Sequence, residues 1–178
     1  MEYSTAHPND AAEIERLFIK TFSDSEGQTE GEMIGHLTRD FMSDTPKGDL
    51  YCFVAREDEQ IVGSIFFSRI TFECEVKAFI LAPVAVRTDY QGKGVGQKLI
   101  TFGLNSLSKD EVDLAITYGD PNFYSKVGFQ SVTEAVVPAP LTLQHPEGWL
   151  AQSLRGDKIQ SIEGKSSCVE ALNKPEYW

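Results

Sequence analysis

Three glycines spaced two residues apart, Gly92, Gly94 and Gly96, stand in the sequence QGKGVG at residues 91–96. They follow an apolar stretch, residues 77–86, that predicts a buried strand, and they open a pattern of hydrophobic residues at helical spacing. Glycine has no Cβ, so its amide can approach a ligand closely and its φ can be positive. The N-terminus of a helix presents unpaired N–H groups and the positive end of its dipole. The stretch therefore predicts a backbone cradle for a phosphate or pyrophosphate.

The common nucleotide-binding motifs fit this stretch poorly. A P-loop needs G-x-x-x-x-G-K-[S/T], which is not found in the sequence. A dinucleotide fingerprint needs G-x-G-x-x-G, and Gln97 stands where the third glycine belongs. Lys93 and Lys98 can add positive charge nearby, although Lys93 taken alone is better explained as a solvated surface residue.

The spacing Gln91-x-x-Gly94-x-Gly96 resembles the [Q/R]-x-x-G-x-[G/A] motif of the GNAT family, the acyl-CoA-dependent N-acyltransferases. A second stretch, GDPNFYSKVGF at residues 119–129, resembles the short helix of that family with its tyrosine, followed by Gly-Phe. The G-D-P opening is similar to that of the YhbS-like bacterial subgroup. Two matched motifs at the expected distance are much more specific than a glycine loop alone.

The resemblance implies a fold and a cosubstrate. The fold is a mixed, mostly antiparallel α/β sheet flanked by helices, with a V-shaped parting between two central strands, residues 77–86 and 112–117. The cosubstrate is acetyl-CoA, whose pantetheine arm would pair with the backbone of Val84, Ala85 and Val86 like an added strand. The backbone amides that would hold the pyrophosphate are those of Gln91, Gly92, Lys93, Gly94, Val95 and Gly96.

Tyr124 is the general acid that the resemblance implies, placed near the thioester sulfur. A thiolate leaves more readily when a phenol donates a proton to it. A primary amine can then attack the thioester directly, without a covalent enzyme intermediate. A core aromatic residue beside Phe123 is the alternative role for Tyr124.

The sequence leaves the general base open. Glu73 and Glu75 precede the central strand, where some members of the family place a base, but an exposed acidic strand end explains both equally well. Asp120 fits the N-cap of the short helix, and a chain of water molecules is a further route for the proton. No metal-ligand cluster and no Ser-His-Asp or Cys-His arrangement is readable, so we predict no metal.

The composition narrows the partners. The chain has 178 residues and a formal net charge of −11, which opposes binding to nucleic acid or to an anionic membrane and mildly favours a cationic acceptor. We expect the acceptor, a small-molecule or peptide amine, to be approached by the helices of residues 10–42 and the loop of residues 138–148. The length suits one domain, residues 1–178, with a core at 1–155 and an extension at 156–178 that lies across its surface.

The cysteines and the N-terminus indicate a compartment. Cys52, Cys74 and Cys168 form no C-x-x-C pair, and the first two lie in apolar runs that predict buried thiols. No apolar stretch approaches 18 residues, and no basic segment followed by an apolar one opens the chain. We therefore expect a cytoplasmic protein.

The remaining elements follow from hydrophobic periodicity. Two amphipathic helices are expected, with capping boxes at Asp10 with Glu13 and at Thr29 with Glu32. A turn-like linker at residues 23–27 would join them. The expected strands are a hairpin at residues 50–56 and 61–70, then 129–137 and 148–154, with a bulge or parting at Pro83.

The sequence thus predicts an N-acetyltransferase that moves an acetyl group from acetyl-CoA to a primary amine. The first alternative is a CoA-binding sensor or degenerate family member without turnover. A different nucleotide-binding enzyme and a structural or interaction module are the others. A homodimer, which is common in folds of this kind, is a further expectation.

Overall fold

A computed structural model describes residues 1–156 and 158–178 of the chain. Its helices are α1 (Ala11–Glu26), α2 (Gln28–Asp44), α3 (Val95–Lys109) and α4 (Pro121–Tyr124). Its strands are β1 (Glu2–Thr5), β2 (Leu50–Glu57), β3 (Gln60–Phe72), β4 (Ala78–Val86), β5 (Leu114–Tyr118), β6 (Gln130–Ser131), β7 (Trp149–Ser153) and β8 (Ser166–Cys168). Within the described residues, no helix combines the length and the apolar character needed to cross a membrane.

The strands form one mixed sheet. They are hydrogen bonded in the order β1-β2-β3-β4-β5-β7-β6, and β8 also pairs with β3. The β4–β5 pair is parallel, whereas the β1–β2, β3–β8, β5–β7 and β6–β7 pairs are antiparallel. The predicted mixed, mostly antiparallel sheet with flanking helices is confirmed.

The two central strands part within the length of β4. Their parallel pairs run from Ala78 with Leu114 to Leu81 with Thr117, and β4 then continues to Val86. Among the described residues, the pairing with β5 therefore ends at Leu81. Pro83, which has no N–H to donate to a ladder, stands just beyond that point. The parting that the sequence predicts is confirmed.

The chain forms two compact units, and the first comprises Met1–Phe66 and Pro83–Phe102. Aromatic rings fill its core. The Phe66 ring lies 5.6 Å from that of Phe18 in α1 and 5.4 Å from that of Phe41 in α2. The Phe53 ring meets the edge of Phe102 in α3 at 5.6 Å. The hydrophobic periodicity of the helices thus marks their buried faces.

The connection between α1 and α2 is shorter than predicted. The expected linker at residues 23–27 is helical as far as Glu26, and Gly27 alone, with a φ of 100°, breaks the helix. A positive φ is a conformation that glycine adopts without strain, so one residue suffices for the turn.

The predicted capping boxes do not form. Asp10 instead accepts a hydrogen bond from the backbone N–H of His7 at 2.7 Å and forms an ion pair with Arg56 of β2. The Glu13 carboxylate accepts from the N–H of Ile61 at 2.9 Å. Thr29 lies inside the first turn of α2 rather than before it. The Asp10 carboxylate thus caps the 3-10 turn Pro8–Asp10 that precedes α1, and the Asp10 and Glu13 carboxylates also join this end of α1 to β2 and β3.

The second compact unit comprises Phe67–Ala82 and Gly103–Trp178. Its core contains Trp149 and Trp178, whose ring centroids lie 6.0 Å apart. Each indole N–H is satisfied by a carbonyl, that of Trp149 by Val137 at 2.8 Å and that of Trp178 by Leu172 at 2.9 Å. Leu172 and Trp178, near the end of the chain, are thus buried in this core, although we expected residues 156–178 to lie across the surface.

Two strands in this unit differ from the prediction: one is shorter than expected and one was not expected. The strand expected at residues 129–137 shrinks to Gln130–Ser131, because the chain turns where the N–H groups of Val136 and Val137 both bond to the carbonyl of Thr133. Strand β8 was not expected. Its sequence, Ser-Ser-Cys, has no hydrophobic alternation. The strand forms because it pairs with residues 70–72 of β3, which are distant in sequence.

Candidate active site

The glycine stretch forms a tight turn that opens α3. Gly92 and Gly94 have φ values of 71° and 78°, and a Cβ built on either would meet nothing within 4 Å. Helix α3 begins at Val95, and its first intrahelical bond in this turn runs from the N–H of Lys98 to the carbonyl of Gly94 at 3.1 Å. The positive φ expected for Gly96 is wrong, because this residue lies in the first turn of α3. The amides that precede Lys98 are those that a helix leaves without an intrahelical partner.

The turn is tied to the end of β4. The Gln91 side-chain amide donates to the carbonyl of Val86 at 2.9 Å. The N–H of Arg87 donates to the carbonyl of Val62 in β3 at 2.8 Å, and the N–H of Tyr90 donates to the carbonyl of Arg87 at the same distance. Hydrogen bonds therefore fix the start of this turn to the ends of β3 and β4.

Charged side chains lie on both sides of Tyr90 at the start of the turn. The Arg87 guanidinium pairs with Asp89 at 2.7 Å, and the hydrogen bond from Arg87 lowers the pKa of that carboxyl. Arg87 also lies over the Tyr90 ring at 4.7 Å from its centroid, and the Lys93 ammonium lies 5.2 Å from the same centroid. The expectation that Lys93 adds a positive charge to a ligand cradle stays a prediction.

The end of β4 offers a strand edge next to the turn. Val84 and Val86 are half-buried and Ala85 is buried, so side chains alternate while the backbone beyond Leu81 has no β5 partner among the described residues. Such an edge can accept an extended ligand by main-chain hydrogen bonds.

In the second unit, Tyr124 is held by aromatic and backbone contacts. Asp120 caps the short helix α4, since its carboxylate accepts the N–H of Asn122 at 2.9 Å, which confirms that expectation. The Tyr124 ring meets the edges of Phe123 at 5.0 Å and of Phe129 at 5.8 Å. A Cβ on Gly119 would lie 2.7 Å from its Cε2 atom, so only glycine leaves room for the ring.

The surroundings of Tyr124 raise the pKa of its phenol. Burial raises the pKa of Tyr124, and the charge of Asp120 acts in the same direction, whereas a hydrogen bond with the Thr117 side chain lowers it; the net shift is upward. The phenol therefore stays protonated at neutral pH. Thr117 is fully buried and donates from Oγ1 to the carbonyl of Leu81 at 2.9 Å, at the last β4–β5 pair.

The two carboxylates proposed as a base lie elsewhere in that unit. Glu73 and Glu75 precede the start of β4, whereas the open edge is at its other end. The Glu73 carboxylate packs on Gly164, where an added Cβ would collide with it, and it lines a cavity of about 650 Å³ together with Asp113 and Arg155. None of the described contacts joins either glutamate to Tyr124, so a base role for either stays an untested prediction.

The cysteines and metal ligands add no chemistry to this arrangement. Cys74, expected to be buried, is exposed at the turn after β3, because the apolar run ends at Phe72. Cys52 packs beside Ser64 Oγ at 3.6 Å, and burial raises the pKa of its thiol to about 12. Over residues 1–156 and 158–178, no three His, Cys, Asp or Glu side chains are grouped to hold a metal ion.

Sequence reasoning missed the residues that surround the Tyr124 hydroxyl and ring. Thr117 is one polar residue in an otherwise apolar strand, and that isolated hydroxyl was the available signal. Gly119 directly follows the strand and precedes the Asp-Pro of the helix cap, which is a place where a required glycine is expected. Neither signal identifies the partner, because Leu81 and Tyr124 are reached only through the fold.

Comparisons with known proteins agree with this geometry. Residues 48–131 match the model of the acetyltransferase (GNAT) domain. The uncharacterized N-acetyltransferase YjhQ of Escherichia coli is 30% identical over 168 residues, which cover 91% of this chain and 88% of that protein. The crystal structure of YhbS, a GNAT family N-acetyltransferase from Escherichia coli in complex with CoA, has a TM-score of 0.80 and 26% identity, covering 98% of this chain and 92% of that one. A GNAT family acetyltransferase from Brucella melitensis in complex with acetyl-CoA has a TM-score of 0.71 and 27% identity, covering 97% of both chains.

Proposed function

This chain belongs to the GNAT acetyltransferase family, and on that premise we propose that it transfers an acetyl group from acetyl-CoA to a primary amine. The observation that carries the proposal is the turn of residues 91–96. Its two positive-φ glycines open α3 after the end of β4, which beyond Leu81 has no β5 partner among the described residues. A helix N-terminus next to an open strand edge suits a ligand that joins a pyrophosphate to an extended amide-containing arm.

The cradle residues have separable roles in this proposal. The amides of residues 91–96 bind the pyrophosphate of acetyl-CoA, and Lys93 adds a positive charge beside them. The backbone of Val84, Ala85 and Val86 pairs with the pantetheine arm, as a strand would. Support comes from the first turn of α3, whose N–H groups a helix leaves without intrahelical partners, and from the Gln91 side chain, which ties the turn to Val86. The backbone N–H of Gln91 itself donates to the carbonyl of Thr88 at 3.3 Å and must leave it to bind the pyrophosphate.

Tyr124 is the proposed general acid. Because burial raises its pKa, the phenol carries its proton throughout the neutral range and has it available for the leaving thiolate. The attacking amine reaches the active site as an ammonium and must lose a proton first. With Glu73 and Glu75 at the far end of β4, we propose that water rather than either carboxylate accepts that proton.

The acceptor is the least specified part. We propose a cationic amine on a small molecule or a peptide, approached by residues 10–42 and the loop of residues 138–148. The net charge of −11 supports a cationic acceptor through long-range attraction. The three free cysteines support a reducing, cytoplasmic setting.

Thermal unfolding with and without acetyl-CoA tests the binding half of this proposal, with NAD and ATP as controls. Ligand at about a hundred times its dissociation constant adds ~2.7 kcal/mol, which raises Tm by roughly 5–10 °C for a chain of this size. A rise with acetyl-CoA alone is the expected result. A rise with NAD or ATP instead would favour a different nucleotide-binding enzyme.

Release of free thiol from acetyl-CoA tests the transfer half. The amines offered are spermidine, an aminoglycoside and a lysine-containing peptide, and mass spectrometry of the amine gives the acetylated product. We expect thiol and acetylated amine in equal amounts with at least one of them. Tight acetyl-CoA binding without thiol release for any amine would favour the sensor alternative.

A further inference from the structure

The loop of residues 138–148 is fixed where it begins. The indole N–H of Trp149 donates to the carbonyl of Val137 at 2.8 Å, and the Ser166 hydroxyl donates to the carbonyl of Pro138 at 2.7 Å. Trp149 is fully buried, so the first of these bonds lies in the core of the second unit. The start of the loop therefore has a defined place in that unit.

A side chain of β5 fixes the other end of the loop. The backbone N–H of His145 donates to the hydroxyl oxygen of Tyr118 at 2.7 Å. Just after β5, the N–H of Gly119 donates to the carbonyl of Gly148 at 2.9 Å. In the described part of the chain, no hydrogen bond involves residues 139–144. Hydrogen bonds therefore hold this loop near its two ends, and the Tyr118 hydroxyl supplies one of them.

Aromatic packing fixes the ring that carries this hydroxyl. The Tyr118 ring stacks on Trp178 with the centroids 6.3 Å apart, and it meets the edge of Trp149 at the same distance. Both indole side chains are buried. A tyrosine hydroxyl can accept a hydrogen bond without giving up its own hydrogen. The ring is thus held with its hydroxyl oxygen at the backbone of the loop.

One glycine separates the end of the loop from the proposed general acid. A Cβ built on Gly119 would lie 2.7 Å from Tyr124 Cε2, and a Cβ built on Gly148 would lie 2.9 Å from the carbonyl oxygen of Gly119. Gly119 therefore contacts the Tyr124 ring and the end of the loop. Tyr118 directly precedes Gly119, so its bond to the loop is made beside this contact.

We propose that Tyr118 is the positioning residue for the loop of residues 138–148 in acetyl transfer. Its hydroxyl keeps the end of the loop beside Gly119 and Tyr124, where the amine must come to receive the acetyl group. The loop in this position affects the binding of the amine, and it affects neither acetyl-CoA binding nor the proton of Tyr124. This inference rests on the proposed function, because the approach of the acceptor along this loop belongs to that proposal.

Steady-state kinetics of Tyr118→Phe test this role. The variant keeps the ring and its contacts and removes the oxygen that accepts the His145 N–H. The amine is whichever of spermidine, an aminoglycoside and a lysine-containing peptide the wild type acetylates fastest. At saturating acetyl-CoA, we expect the KM for the amine to rise about fivefold, the size of one net hydrogen bond, with kcat and the Kd of acetyl-CoA unchanged. A general loss of structure would lower kcat and weaken acetyl-CoA binding as well.

Hydrogen exchange of ¹⁵N-labelled protein gives a readout that does not depend on activity. The His145 amide should exchange about fivefold faster in Tyr118→Phe than in the wild type, because it loses its acceptor. Tyr3→Phe is the matched control, since it removes a phenol from β1 in the other unit and should change neither the exchange of His145 nor the KM for the amine. If circular dichroism shows that Tyr118→Phe does not fold, Trp178→Phe replaces it, because a smaller ring loosens the stack on Tyr118 and should raise both quantities.

The two measurements separate this inference from the proposed function. Faster His145 exchange together with a raised KM for the amine is the expected result. An unchanged KM, a raised KM with unchanged His145 exchange, or a fall in kcat alone would overturn the positioning role, while acetyl transfer by the wild type would still support the function. A wild type that acetylates none of the amines would reject the proposed function and with it this role, even if His145 exchanged faster in the variant.

Discussion

The cradle and the Tyr124 pocket are built from different parts of the polypeptide. At residues 91–96 the backbone forms the turn, since two glycines have positive φ and the first amides of α3 follow them. Around Tyr124, packed side chains form the surroundings, with Phe123 and Phe129 against the ring. Changes in the cradle should therefore alter binding, whereas changes around Tyr124 should alter the chemical step.

Removing the Tyr124 hydroxyl should give the largest effect. Tyr124→Phe keeps the ring contacts and removes the proton, so we expect kcat to fall about a hundredfold at saturating acetyl-CoA. The KM for acetyl-CoA should stay close to that of the wild type. Tyr3→Phe, which removes a phenol from β1, is the control. An unchanged kcat in Tyr124→Phe would remove the acid assignment.

Displacing the ring should give a smaller loss of the same kind. In Gly119→Ala the new Cβ would lie 2.7 Å from Tyr124 Cε2, so the ring must shift. We expect kcat to fall roughly tenfold and stability to drop by about 1–3 kcal/mol, as overpacking does. Gly48→Ala, whose Cβ meets nothing within 4 Å, should change neither quantity. Equal effects in both variants would show that the contact with the ring is unimportant.

The alkaline limb of the pH profile should report Tyr124. Burial raises its pKa from the ordinary value of 10.0, so at pH 9 the phenol is more than roughly nine-tenths protonated. Acetyl transfer should hold to pH 9 and fall only above pH 10. A raised folded-state pKa stabilises the fold fully below the unfolded value, and that contribution is lost as the pH rises through the folded value. A decrease in kcat already near pH 8 would indicate that a group other than Tyr124 controls the alkaline side of the pH profile.

Stability of the first unit at low pH gives the smallest expected effect. Burial raises the pKa of Asp10, but the hydrogen bonds from His7 and Arg56 outweigh it and lower the pKa below 3.8. A lowered folded-state pKa stabilises the protein above the unfolded value, and this stability is lost as the pH falls through the folded one. Asp10→Asn should therefore cost about 1–2 kcal/mol at pH 7 and less at pH 3, measured by urea unfolding. An equal cost at both pH values would contradict the ion pair.

The difference between a turn formed by neighbouring residues and contacts between distant elements explains what the sequence could predict. The turn at residues 91–96 depends on residues adjacent in the chain, so the sequence predicted the positive φ of Gly92 and Gly94. Pro83 likewise marked the place where β4 parts from β5. The hydrogen bond from Thr117 to the carbonyl of Leu81 joins β5 to β4, and no local pattern reveals it. Gly96 shows the limit within the cradle, because spacing alone does not tell a turn glycine from a helical one.

The failures at secondary-structure level have the same cause. Residues 129–137 carry β-forming side chains, but the turn at Thr133 ends the strand after Ser131. Strand β8 has polar residues and exists through its pairing with β3. Asp10 and Glu13 fit a capping pattern in the sequence. In the structure Asp10 pairs with Arg56 of β2, and Glu13 accepts the N–H of Ile61 of β3.

Isothermal titration with acetyl-CoA tests the central claim most directly, since it asks whether the turn at residues 91–96 is the cradle. The wild type should bind one acetyl-CoA per chain, and Gly94→Ala should bind at least about tenfold more weakly, because alanine resists a φ of 78°. Gly27→Ala carries the same backbone strain at a φ of 100° outside the cradle and should bind like the wild type. Equal affinity in all three proteins, or no binding by the wild type, would contradict the account.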